Sequence, residues 1–378
     1  MAPCVLHCGV TDVFLHTLNC MIGIGLLALP HAVAVVGPVV FVGVLLFVAV
    51  AAIVSTHMLT ACLRTHRGNL EDICAAMFGR GGYWIMCALI ILENLGSVCS
   101  YMHMLMSVLA VLVPDISMYY ALGMLILLVL FPVSLPKSSR CLMIISGPAL
   151  MCVLAFVVYT IYYCVHATAP GPAWPLFDDR MRVDQCLSII TFAFVCQPTI
   201  VTTANLHGDK ACGAAAAAMC AMSVGTVLYA VIALCGWLPM GPETPDNIVL
   251  AYMNTLDGKI VAGVMCVSVV LTVPALLLPV VHMMAPIDHS PMQWMSTLGM
   301  YACMYVLVIM IPSFKVGVVV VGAVAGTVLV FALPALMYTW LYYRRRVLAW
   351  MVVVLYTGIG VAVSVMAIYD IKIQLQGY

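Results

Sequence analysis

The chain has 378 residues, 65% of them apolar and only 7% Asp, Glu, Lys or Arg, far below the roughly 25% charge usual in a soluble domain and too little to cover a water-facing surface. Its 14 basic and 14 acidic residues cancel, so bulk charge selects no partner, and the composition excludes nucleic-acid binders, disordered regulators, disulfide-stapled secreted domains and soluble enzymes. The solvent is a bilayer, and at about 20 apolar residues per crossing the length allows about eleven or twelve spans.

Punctuation by Pro, Gly and charge predicts eleven spans, near 12–36, 38–62, 83–113, 118–136, 141–166, 184–206, 212–238, 258–284, 294–313, 315–340 and 347–370. Continuous apolar runs such as 38–54 exclude a β-barrel, whose strands are about ten residues long and alternate in polarity. The expectation is an all-α integral membrane protein forming one transmembrane domain over 1–378. Residues 1–11 form a short cytoplasmic N-terminus without the basic n-region of a signal peptide, so the first span stays. With the N-terminus inside, the inner loops hold nine basic residues (Arg64, Arg67, Arg80, Lys137, Arg140, Lys210, Arg344, Arg345, Arg346) and the outer side five (Arg180, Arg182, Lys259, Lys315, Lys372). That asymmetry predicts a cytoplasmic N-terminus and an external or luminal C-terminus.

Between spans two and three, segment 68–80 mixes Gly68, Asn69, Glu71, Asp72 and Arg80 with Leu70, Ile73 and Phe78, the pattern of a short interfacial helix. Segment 241–257 is its expected counterpart on the other side. The alanine run 214–218 reads as close helix packing. The 17 Cys form no CxxC pair and read as packing residues; Cys164 and Cys186, which flank one external loop, are open to pairing.

Span one contains Asn19-Cys-Met-Ile-Gly23-Ile-Gly25-Leu-Leu-Ala-Leu-Pro30. Two readings fit: a small-residue face for helix packing, or a helix opened at Gly23–Gly25, which lipid tolerates only beside protein or a wet cavity. The second half-helix would then offer N–H groups and a positive dipole end to a carboxylate, and carbonyls of the first half would suit a cation. Span six places Gln197-Pro198 within Thr191-Phe-Ala-Phe-Val-Cys-Gln197-Pro198, and proline removes a donor and frees the carbonyl a turn earlier. Two interruptions five spans apart are the pattern of an inverted five-plus-five repeat, with a plain proline kink as the alternative. In span eight, Ser268 and Thr272 share a helix face; their hydroxyls either present oxygen to a hard cation or bond their own preceding turn. Glu93 is the sole acidic residue well inside a span and reads as a proton-coupling or substrate-ammonium site, or as a neutral carboxyl bonded to a neighbour. His57, His103 and His282 read as satisfied core or interface residues.

These motifs carry a family resemblance. Asn19-x-x-x-Gly23-x-Gly25-x-x-x-Leu29-Pro30 with Gly37, Phe192-Ala-Phe-Val-Cys-Gln-Pro198 with Leu206 and Asp209-Lys210, Leu271-Thr-Val-Pro274 with Pro279, and Cys235-Gly-Trp-Leu-Pro-Met-Gly241 with Asn247-Ile248 resemble the amino acid/auxin permease family. Within it they are most similar to the sodium-coupled neutral amino acid transporters. The resemblance implies a LeuT-type bundle of two inverted five-helix repeats (12–166 and 184–340), broken helices one and six, and an extra helix at 347–370. It places Asn19 and Thr272, with Ser268, at a candidate Na+ site. Departures are the short N-terminus, the short loop 167–183, and Gln197 where many sodium-coupled members carry His, so pH dependence through that imidazole is not expected.

The function expected is secondary active transport of small amino acids by alternating access, coupled to Na+ or H+. N–H groups of Ile22, Gly23, Ile24 and Gly25 would hold the substrate carboxylate, and opened backbone at Phe194, Cys196 and Gln197 its ammonium. The expected partners are an amino acid, a coupling cation and the bilayer, without nucleic acid or resident cofactor, in a monomer. The plasma membrane is favoured over a lysosomal or vacuolar one. The alternative is a nutrient receptor that binds the same ligand without net transport. The chain has no HExxH, no GxSxG and no paired intramembrane carboxylates, which argues against an enzyme.

Overall fold

The first helix of the chain stops short of a crossing. In a computed structural model, which describes residues 10–66, 68–135, 139–167, 182–206, 211–284, 291–311, 313–342 and four isolated positions (358, 361, 362 and 365), helix α1 (Val10–Met21) ends at the Gly23-x-Gly25 motif and α2 (Gly25–Ala34) restarts at an angle of 52°. Gly37, at φ 82°, turns the chain, and Pro38 opens α3 (Pro38–Cys62) at a position where a missing N–H costs no helical bond.

The segment 68–80 (the first collar), expected as a short helix, is helical from Leu70. Asn69 and Asp72 form a capping box, the Asn69 N–H donating to Asp72 Oδ2 at 3.2 Å, and start α4 (Leu70–Leu112). Gly79, at φ 72°, bends this helix so that 70–78 lies apart from the crossing that follows. Next come α5 (Met118–Leu125), a π-helical turn (Ile126–Leu130), α6 (Phe131–Ser134) and α7 (Ser139–His166).

The second half opens with α8 (Val183–Ala193), an interruption at Phe194–Cys196, and α9 (Gln197–Leu206). Pro198 contributes to the break, because it has no N–H to donate to the Phe194 carbonyl; the last bonds of α8 run from the Phe194 N–H to Ile190 O (3.2 Å) and Thr191 O (3.1 Å). Helix α10 (Ala211–Trp237) follows, then the second collar, a 3-10 turn (Gly241–Glu243) and α11 (Ile248–Tyr252), which Asn247 caps through Val249 N–H at 3.2 Å. Helices α12 (Leu256–Met284), α13 (Pro291–Met310), α14 (Phe314–Val321) and α15 (Leu333–Tyr342) complete the described chain, the last two joined through π-helical turns.

All described elements are helices. Eight are long and apolar enough to cross a membrane, or nine when α1 and α2 count as one bent span. The expected fourth span, at 118–136, is the shorter apolar helix Met118–Ser134, and the eleventh, at 347–370, lies almost wholly outside the described residues, as does loop 167–183. Cys164 and Cys186 are free thiols, the Cys164 thiol lying beside the free thiol of Cys235.

The bundle has a centre. Of the apolar windows in Val183–Ala204 and Phe314–Tyr342, 78% is buried, against 33% in Gly147–His166 and Pro291–Met310. The interrupted sixth span and the α14–α15 span are therefore enclosed while α7 and α13 lie at the periphery. Helix α2 packs on α8 and α10, and α14 on α4 and α8, which brings the two breaks together in the interior.

Candidate functional site

The breaks touch. A Cβ built on Gly25 would lie 3.0 Å from both Cα and Cβ of Ala193 and 3.2 Å from Phe192 Cδ1. Glycine is needed where the start of α2 meets the end of α8, and this settles the choice between packing and opening: the motif does both.

Each opened peptide group must find a partner inside the protein. At the first break the Ile22 N–H donates to Leu18 O (2.8 Å) and the Gly23 N–H to Met21 O (2.7 Å). The Ile24 N–H donates to the Tyr101 hydroxyl of α4 at 3.1 Å. Gly23 makes room for that phenol, since a Cβ there would lie 2.9 Å from its oxygen. The Met21 carbonyl accepts from the Tyr229 hydroxyl of α10, which also reaches Ala193 O at 2.7 Å. At the second break the Cys196 N–H donates to Gln197 Oε1 at 3.1 Å. The wholly buried Gln197 has no partner at Nε2 among the described residues. The carbonyls of Phe194 and Val195 meet thiols, Cys196 Sγ at 3.6 Å and Cys20 Sγ at 3.9 Å. Thiols are weak donors, so a stronger donor can displace them.

Beside the breaks lies a cavity of about 690 Å³, large enough for an amino acid with water. Cys20 of α1, Glu93 and Asn94 of α4, Cys196 and Thr199 at the second break, and Leu276 and Pro279 of α12 line it, and it runs to the collar residues Asn69 and Glu71. Cys20 Sγ and Thr199 Oγ1 are 3.3 Å apart across it. Asn94 donates to Ile90 O at 2.8 Å, which leaves its amide oxygen open to the cavity side. Beyond the breaks, at the second collar, His31 Nδ1 meets Thr244 O at 3.0 Å, and the Arg182 N–H donates to Val35 O at 3.2 Å.

Of the residues singled out in the sequence, Glu93 and Cys196 line the cavity. Ile22, Ile24, Phe194 and Gln197 are buried behind it. Asn19 precedes the lining residue Cys20, and Thr272 is one turn before Leu276. Thr272 Oγ1 donates to Ser268 O at 2.8 Å, the bond to its own preceding turn that competed with a cation reading, whereas Ser268 Oγ donates across to Ala149 O of α7 at 3.2 Å. Donation leaves oxygen lone pairs free. Helix α1 packs on α10, α9 and α7, and α12 on α7, α4 and α13, so Asn19 and the two hydroxyls occupy separate helices with α7 as their shared neighbour. His103 is buried on α4, His57 is exposed on α3, and the His282 side chain lies outside the described residues.

Sequence reasoning passed over Tyr101 and Tyr229. Both are tyrosines well inside apolar spans rather than at the aromatic belts, and a phenol at that depth must bond something. That was the available signal.

Two interrupted spans meet beside a cavity, lined by polar and apolar groups, that reaches one collar, an arrangement suited to holding a small solute within a bilayer. The comparisons agree: the family model for transmembrane amino acid transporter proteins matches residues 7–372, and the chain belongs to that family. It is 26% identical over 370 residues to the sodium-coupled neutral amino acid symporter 2 of Danio rerio, covering 85% of this chain and 73% of the relative. It is also 26% identical over 418 aligned positions to the sodium-coupled neutral amino acid transporter 4 of Rattus norvegicus, covering 85% and 76%. Family and relatives are transporters, not enzymes.

Proposed function

We propose that the chain is a secondary active transporter of small neutral amino acids, coupled to Na+ or H+ and working by alternating access. The observation that carries this is the meeting of the two breaks beside a cavity that reaches one collar, with hydrogen bonds linking span one to the opposite collar. The relatives' names support neutral amino acids and sodium.

Of the N–H groups at Ile22–Gly25, the substrate carboxylate takes those of Ile24, yielded by Tyr101, and Gly25, while those of Ile22 and Gly23 stay on Leu18 O and Met21 O. Its ammonium takes the Phe194 and Val195 carbonyls from their thiols, a trade of weak donors for a charged one, while Cys196 and Gln197 shape that wall. Asn19, Ser268 and Thr272 form the cation site when α1 closes toward α12, and Glu93 either carries a proton or meets a cationic group. Cotransport is sufficient energetically: one cation moving with the potential contributes about 2.3 kcal/mol per 100 mV, nearly fiftyfold accumulation at about 1.36 kcal/mol per decade. The larger architecture of this reading is two inverted five-helix repeats with an eleventh helix, working as a monomer in the plasma membrane with the N-terminus cytoplasmic.

The test is a panel of labelled amino acids offered to cells expressing the chain, with Na+ replaced by choline at two pH values. Saturable uptake of small neutral amino acids that falls with choline is expected for Na+ coupling, and uptake that rises at the lower pH whatever the salt for H+ coupling. Uptake indifferent to both ions contradicts cation coupling.

A further inference from the structure

Helix α10 follows span one along its length. A Cβ on Gly225 would lie 2.8 Å from Met21 Cε, and one on Gly236 2.7 Å from Pro30 Cγ, so α10 presses on both halves of the broken span. One turn after Gly225, Tyr229 is wholly buried and meets the ring of Phe194 edge-on, centroids 5.4 Å apart at 83°. Its hydroxyl reaches the carbonyls of Met21, the last residue of α1, and of Ala193, the last residue of α8. These are the C-terminal ends of the leading halves of both interrupted spans. Such ends lack helical donors and carry negative dipole ends that repel one another, and the bilayer interior offers them no water. A phenol has one proton. Both carbonyls draw on it, so the shared bond exists only while the two helix ends converge.

The geometry points to Tyr229 as a positioning residue that holds the two breaks in register, so that the peptide groups at Ile22–Gly25 and at Phe194–Gln197 face one ligand. It is not among the residues lining the cavity and acts through the breaks. This inference rests on the transport reading above, and its test has one arm that does not.

Tyr229→Phe removes the oxygen and keeps the ring on Phe194. Tyr301→Phe is the matched control, because Tyr301 is another buried phenol on main-chain oxygen, meeting Ser134 Oγ at 2.6 Å and Leu130 O at 3.3 Å away from the breaks. In proteoliposomes the half-saturating concentration of labelled alanine rises about tenfold or more in Tyr229→Phe while the maximal rate changes less, and Tyr301→Phe matches wild type. In detergent, without transport, N-ethylmaleimide labelling read by peptide mass spectrometry accelerates at least fivefold at Cys196 in Tyr229→Phe and not at Cys99, a buried thiol of α4 that belongs to neither break. Should Tyr229→Phe not reach the membrane, Gly236→Ala, whose methyl meets the rigid Pro30 ring and levers α10 off the broken span, moves both readouts in the same direction. Equal behaviour of Tyr229→Phe and Tyr301→Phe in the labelling arm overturns the assignment, as does a parallel rise at Cys99 or a labelling pattern unmoved by Gly236→Ala when that variant stands in. Absence of alanine uptake by the wild type, with labelling as expected, contradicts the transport reading and leaves Tyr229 as the link between the breaks.

Discussion

Glu71 stands where the cavity meets the collar, ahead of the Gly79 bend and outside the crossing. Burial there holds its carboxyl above the usual carboxylate range, against bonds to its own backbone and Asn69 that favour the charge. The folded protein therefore binds more protons than the unfolded chain between the two pKa values, and the stability this contributes, complete below the unfolded value, is lost as pH rises through the folded one. Glu71→Gln is immune to that loss. Its melting temperature in detergent should match wild type near about pH 4 and exceed it by a margin that grows toward about pH 8; a constant offset would contradict the burial argument. Thr272 makes a separate prediction. Its hydroxyl donates to Ser268 O and keeps lone pairs for a cation, so Thr272→Ala should raise the half-saturating Na+ concentration about tenfold, the effect of about 1.4 kcal/mol. Alanine recognition at saturating Na+ should hardly change. Uptake by this variant with an unaltered cation titration removes Thr272 from the site.

At the scale of elements, the contact between breaks is steric as well as hydrogen-bonded. Gly25→Ala puts a methyl 3.0 Å from the Ala193 backbone, and overpacking of this kind costs about 1–3 kcal/mol, so uptake should fall about tenfold or more. Gly43→Ala on α3, with open space beyond it, should leave uptake unchanged; equal losses in the two would show that helix propensity, not the contact, is at stake. Both breaks were legible in sequence, because Gly-x-Gly and Gln-Pro change what a backbone can do locally. The groups that complete them were not. Tyr101 and Tyr229 sit 77 and 208 positions from the span-one peptide groups they bond, and only packing of α4 and α10 against span one reveals the pairings. Ser268 and Thr272 illustrate the converse: a shared helix face was visible, but which oxygen each hydroxyl would choose depends on α7. The collar at 68–80 was readable down to its cap, since Asn69 and Asp72 stand at capping-box spacing.

For the molecule as a whole, composition alone fixes the bilayer as solvent, and punctuation places most spans within a few residues. Nine of the eleven expected spans are matched when α1 and α2 count as one; the other two are the apolar stretch at 118–134, short for a crossing, and 347–370, almost wholly outside the described residues. The cavity is a property of the assembled bundle: it needs α1, α4, α9 and α12 together, and no single segment announces it. Its place beside both breaks, together with membership of a transporter family, fits a protein that moves its ligand. The most direct measurement is flux: purified chain in proteoliposomes, labelled alanine outside, and an inward Na+ or H+ gradient imposed or collapsed. The account predicts saturable accumulation above the external concentration that collapses with the gradient, while saturable binding without net movement under any gradient would contradict it.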